Sequence, residues 1–206
     1  DTNIKGLFQK NDTLFSVTDF TQKGFVFASF DGTKSYFIPE NESEIMNAVF
    51  QTKEIAIQEK EPNLLDEITK LNFENLVKKG IQAIDNNEFK KVVLSRKESL
   101  NLVDFDIISA FEKLIQLYPT TFVYCFYHPK IGTWLGATPE QLLKAQNEEF
   151  QTIALAGTQK HTDANEVIWL KKEQEEQQFV TDYIVEKIKN VASQVLISKP
   201  YSVKAG

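Results

Sequence analysis

The chain has one cysteine in 206 residues, Cys125, so no internal disulfide can form. That thiol lies in an apolar, strand-like run and reads as a packed side chain rather than a nucleophile; a cytoplasmic setting fits. Histidine is nearly as scarce, with only His128 and His161. His128 precedes Pro129 and reads as a loop residue after a strand, and His161 lies in the polar run after Thr158. Neither is expected to take part in catalysis. No apolar run approaches the ~20 residues that a membrane-spanning helix needs. Basic charge is in deficit: 23 Lys and Arg face 29 Asp and Glu, a formal net charge of −6. Nucleic acid binding asks for the opposite field, so no nucleic acid and no membrane partner is expected. No secretory signal, internal repeat or low-complexity tract is visible.

What is present is the composition of an ordinary globular protein, 42% hydrophobic and 25% charged. Leu14–Phe20 and Phe25–Phe30 read as strands, and Asp31-Gly32 turns the chain into a third at Lys34–Ile38. A short helix is predicted over Asn41–Phe50, and a polar connection over Ile55–Asn63. Apolar residues at 73, 76, 77, 81 and 84 predict an amphipathic helix ending near Asn86-Asn87. Asp104 or Asp106 can cap a second helix that stops before Pro119. Thr121–Tyr127 and Thr133–Ala137 follow as strands. Gln141–Ala145 and Phe150–Ala156 pair as a hairpin. A long helix is expected from about Asn165 to Val191, with one more strand starting at Val195–Ser198. The strands cluster in antiparallel sets and do not alternate regularly with helices, so the fold class reads as α+β, antiparallel sheets with packed helices. Residues 1–62 read as a β-rich N-terminal segment and 63–206 as the first part of the main domain. The sequence stops just after a strand begins, so the domain is expected to be incomplete at its C-terminus.

The chain is organised around Phe89–Arg96, Phe-Lys-Lys-Val-Val-Leu-Ser-Arg. As a strand it would put Lys91, Val93 and Ser95 on one face and Lys90, Val92, Leu94 and Arg96 on the other. Both faces carry apolar residues, so both are expected to be covered, with a lysine at the margin. Lysine is rarely buried without a partner or a task; the alternative is that both lysines sit at a strand end and reach water. In the long helix, Trp169, Val180, Ile184 and Val191 define a stripe that Glu173 and Glu176 share near its start, as does Lys187 further on. Two carboxylates there either complement the helix dipole or form a hard-cation site, for which Mg²⁺ is the natural guest.

Four motifs in order resemble the chorismate-utilising enzymes: Lys91-Val-Val-Leu-Ser-Arg96, Trp134-Leu-Gly-Ala-Thr-Pro-Glu140, Ala154-Leu-Ala-Gly-Thr158, and Lys172 with Glu176 on one helix. The family includes anthranilate, aminodeoxychorismate, isochorismate and salicylate synthases. The resemblance covers roughly Phe73 to Gly206, and it implies the family's fold with chorismate as substrate. Members that add ammonia carry glutamine at the position of Lys91, and members that add water carry lysine. Lys91 thus implies water as nucleophile and the isochorismate synthase reaction, in which Lys91 is the base and Glu140 the acid that protonates the departing oxygen. The resemblance further implies Glu176 as a Mg²⁺ ligand, with Glu173 as its substitute, and Gly157-Thr158 as a substrate-lining turn. Salicylate synthase, an ammonia-using synthase and a non-catalytic fragment that keeps the fold stay open as alternatives. This sequence departs from the family in carrying Gln177 where histidine usually follows the glutamate, in a short stretch from Thr158 to Glu176, and in lacking the family's second half. A monomer is expected, with little turnover from these 206 residues alone. The pathway, menaquinone or siderophore, is left open.

Overall fold

The computed structural model describes residues 2–51, 66–160 and 167–203. The connection expected at 55–63 and the position of His161 lie outside these. In chain order the elements are strands β1 (Thr2–Gln9), β2 (Phe15–Ser16), β3 (Gly24–Ala28), β4 (Ser35–Pro39) and β5 (Ser43–Phe50). Helices α1 (Glu67–Asp85) and α2 (Ile107–Leu117) follow. Then come β6 (Phe122–His128), β7 (Gly132–Thr138), β8 (Lys144–Gln146), β9 (Glu149–Gln151) and helix α3 (Lys171–Ile188). Among the described residues all the strand pairs are antiparallel, and helices accompany them, compatible with the α+β class. No described helix is long and apolar enough to cross a membrane.

The chain divides into two compact units. The first holds β1–β5, α2, β6 and β7. β1 pairs with β5 in full register, Thr2 opposite Phe50 and Gln9 opposite Ser43. The helix expected over 41–50 is therefore a strand, preceded by a single 3₁₀ turn at Glu40–Glu42. Ile45, Met46 and Ala48 suit either state in isolation. The decision falls to the partner strand, whose ladder satisfies the backbone groups on one edge. Strands β2, β4 and β3 form a sheet in that order. At the β3–β4 turn Gly32 takes φ +70°. The Asp31 carboxylate accepts bonds from Ser29 Oγ at 2.6 Å, the Thr33 amide at 3.1 Å and Thr33 Oγ1 at 2.9 Å. These bonds, the Ser29 hydroxyl first, hold its pKa down to about 2.

Helix α2 begins as expected at Asp106, which accepts from the Ile108 amide at 2.9 Å and from Ser109 Oγ at 2.6 Å. It ends at Tyr118, before Pro119. Phe37, Ile38, Pro39, Ile115 and Phe126 are the buried apolar residues of this unit. Phe27 stacks on Phe126 with ring centroids 4.6 Å apart and meets Trp134 at 5.4 Å. Two expectations change here. Cys125 is exposed rather than packed, because on β6 it alternates with buried Phe126; partial desolvation still pushes its thiol upward, away from the thiolate. His128 is the buried last residue of β6 rather than a loop residue, and its Nδ1 accepts from the Lys130 amide at 3.2 Å.

The second unit holds α1, the segment up to residue 103, β8, β9 and α3. Helix α1 starts ahead of Phe73 because Asp66 caps it, accepting from the Ile68 amide at 3.3 Å and the Thr69 amide at 3.2 Å. It gives way at Asn86, and Asn87 turns with φ +60°. The β8–β9 ladder is shorter than expected, Lys144 to Gln151, although Thr152 Oγ1 still donates to the Leu142 carbonyl at 2.8 Å. Two expected strands are not formed. Segment 89–96 and segment 195–198 are irregular, because a strand is a paired object and no described segment supplies either with a ladder. Leu196 and Ile197 are exposed.

Candidate functional site

Segment 89–96 owes its place to α1 rather than to a sheet. Gly80 is buried, and a Cβ added to it would lie 3.2 Å from Leu94 Cδ1 and 3.4 Å from Val92 Cγ1. The helix thus presents a notch into which the segment settles. Lys91 and Leu94 are half-buried, while Val93 is 82% exposed. The expectation of two covered faces is not met: coverage follows the Lys91–Leu94 spacing, not the alternation of a strand. Lys90 goes elsewhere, its Nζ lying 5.6 Å from the centre of the Phe179 ring.

On α3 the half-buried stripe includes Glu173, Glu176, Gln177, Val180, Ile184 and Ile188. The acidic start of the stripe is as expected. Its far end is not: Lys187 is exposed with its Nζ 5.4 Å from the Tyr183 ring centre, and Val191 lies past the last turn in solvent. Trp169 also lies outside the helix. Its carbonyl accepts from Gln174 Nε2 at 2.8 Å, and its Nε1 donates to Ser202 Oγ at 2.7 Å. The helix start therefore takes its side-chain bond from Gln174, since Leu170 at the cap has none to give.

Among the residues singled out from sequence, two pairs are brought together. Lys91 Nζ lies 3.0 Å from Glu176 Oε1, with the side chains 27% and 37% exposed. Gly157, at φ +79°, lies against Glu173: a Cβ there would be 3.3 Å from both Glu173 Cβ and Glu173 O. Among the described residues Glu173 Oε2 is buried with no hydrogen-bond partner. Both glutamates therefore lie on the half-buried face of α3. Thr158, next to Gly157, is exposed, and so is Glu140, two residues past β7.

Two contributors were not assigned from sequence. Gln177 Nε2 donates to the Ala154 carbonyl at 3.2 Å and to Thr181 Oγ1 at 2.9 Å, tying the helix to the segment that leads to Gly157. Its signal was the departure from histidine at that position. Gly80 had no signal beyond being a glycine inside a helix, where it costs helix stability unless something must approach closely.

Chemically, the face combines an ammonium, a carboxylate paired with it, and a second carboxylate oxygen that is out of water and unpaired among the described residues. Such an oxygen is costly to bury and invites a cation or a proton donor. Among the described residues no three His, Cys, Asp or Glu side chains converge into a ready-made metal cluster.

The family model of the chorismate binding enzymes matches residues 26–205. The match spans most of the chain, and the chain belongs to this family of enzymes. No curated protein and no solved structure matches it.

Proposed function

We propose that the chain converts chorismate to isochorismate with water as the nucleophile and Mg²⁺ as cofactor. The observation that carries this reading is the meeting of Lys91 and Glu176 at 3.0 Å, beside the close approach of Gly157 to Glu173. Residues from three of the four motifs thereby share one unit.

Each residue has a task that follows from its chemistry. Lys91, as the free amine, takes a proton from water as the water attacks the ring carbon beside the one bearing the carboxylate. The ring double bonds shift, and the hydroxyl two carbons further round departs with a proton from Glu140. An ammonium cannot accept a proton, so this step requires Lys91 to leave Glu176 and release its proton to solvent before the water attacks. The Gly157-Thr158 backbone lines the substrate. The residues fit a Mg²⁺ ion of low protein denticity: Glu176 and Glu173, whose Oε2 has no hydrogen-bond partner among the described residues, would hold it, with water and substrate as the other ligands. When bound, Mg²⁺ neutralises the substrate's ring carboxylate.

The test is a product assay. The chain, and any longer polypeptide that carries it, is incubated with chorismate and Mg²⁺ and the products are separated. Isochorismate is the expected product. Salicylate with pyruvate would move the assignment to salicylate synthase. Anthranilate or aminodeoxychorismate formed only with ammonium would move it to the ammonia-using branch. Chorismate binding without product, by the chain and by the longer polypeptide alike, would leave a non-catalytic member of the family.

A further inference from the structure

Glu176 is asked to serve two cations. Its Oε1 already accepts the Lys91 ammonium at 3.0 Å, and the proposed function gives the same carboxylate to Mg²⁺. A magnesium ion sits about 2.1 Å from a ligand oxygen. Seated on this carboxylate it would stand within a few ångströms of the Lys91 nitrogen, where like charges repel strongly. In the arrangement seen, a cation on Glu176 would meet this repulsion. Lys91 is anchored through Leu94 and Val92 against Gly80 of α1, but its own side chain is long and still 27% exposed, so it has room to swing away.

We infer that Lys91 is a determinant of cation affinity: its ammonium competes with a divalent cation for Glu176, and the cation binds by displacing it. Displacement of Lys91 and seating of the cation are then one equilibrium, so cation binding comes before the step that needs Lys91 free. The inference rests on the reading of Glu176 as a cation-holding residue.

The experiment measures Mg²⁺ binding by titration calorimetry on the full chain without substrate, with circular dichroism as the check on folding. Lys91→Met removes the competitor, and the Mg²⁺ dissociation constant is expected to fall about fivefold, the scale of a partly exposed ion pair. Lys90→Met removes the neighbouring charge that is seated over Phe179, and it is expected to change the constant by less than about twofold. Glu176→Gln is expected to weaken binding about tenfold or more. Should Lys91→Met lose its fold, Lys91→Gln carries the same expectation. Unchanged or weaker binding in the Lys91 variant, with binding lost in Glu176→Gln, overturns the competition but keeps the cation reading. An equal tightening by Lys90→Met reduces the effect to general charge and overturns it too. Wild-type binding in Glu176→Gln, or no binding in any variant, overturns both.

Discussion

Gly157 and Glu173 pack backbone against helix, so closely that a Cβ on the glycine would lie 3.3 Å from the Glu173 carbonyl oxygen and 3.7 Å from its Cα. The neighbours are backbone atoms of α3 and cannot swing aside. Gly157 also holds φ +79°, a conformation that strains any side-chain-bearing residue. Gly157→Ala is therefore expected to destabilise the second unit by about 1–2 kcal/mol. Urea unfolding measures it. The substitution should also push Glu173 from its place and lower Mg²⁺ affinity; an unchanged midpoint would show that α3 yields freely.

What could be read from sequence tracks how local the deciding physics is. The existence of the three described helices was legible because caps and periodicity are short-range: Asp106 before Ile107, Pro119 after Tyr118, and a 3.6-residue stripe from Glu173 onward. β6 and β7 were legible because an apolar run turns tightly at 129–131 and pairs with itself. β1 and β5 were not, since each is defined by the other, some forty residues away. Segment 89–96 failed in the opposite direction. Its composition favours a strand, but composition supplies no hydrogen-bonded neighbour, and the segment settled on a helix glycine instead. At the candidate site, residue types and order named Lys91, Glu176, Glu173 and Gly157; that Glu176 already holds Lys91 depends on how α3 and segment 89–96 meet in the fold.

Gly80 tests whether the notch in α1 sets the position of Lys91. The atoms that a Cβ would meet are the ends of the Leu94 and Val92 side chains, which can give a few tenths of an ångström. Gly80→Ala gains up to about 1 kcal/mol of helix propensity against this crowding, so its net effect on stability is expected to be near zero. Gly80→Leu cannot be absorbed. It is expected to cost about 1–3 kcal/mol and to lift residues 92–94 from the helix. Chorismate turnover, compared in the two variants, should survive alanine and fall with leucine.

The β3–β4 turn gives a pH signature. The Asp31 pKa is lowered to about 2 by the Ser29 and Thr33 bonds. A carboxyl depressed on folding contributes stability that is fully present above its unfolded value of about 4. That contribution is lost as pH falls through the folded value. The Asp31→Asn variant should therefore melt below wild type at neutral pH, with the gap closing as pH falls from about 4 towards about 2. Melting temperature against pH measures this; a constant gap across that range would mean that the carboxylate charge does not matter to the turn.

The strongest test of the chemistry pairs the two residues assigned to move protons. Lys91→Ala removes the proposed base, and Glu140→Gln keeps the size of the proposed acid but takes away its transferable proton. Positioned acids and bases each contribute about 10²- to 10⁴-fold, and losses of that order in isochorismate formation are expected from either change. Glu140 is exposed and Lys91 only half-buried, so the melting temperature should move by no more than a few degrees. In the proposed displacement the two act together, so their effects should not multiply: the double variant is expected to be within about tenfold of the worse single variant. Lys91→Ala and Glu140→Gln also separate from each other in Mg²⁺ binding, which the first should tighten and the second leave alone. Turnover that survives at more than half the wild-type rate in either variant would remove that residue from the reaction.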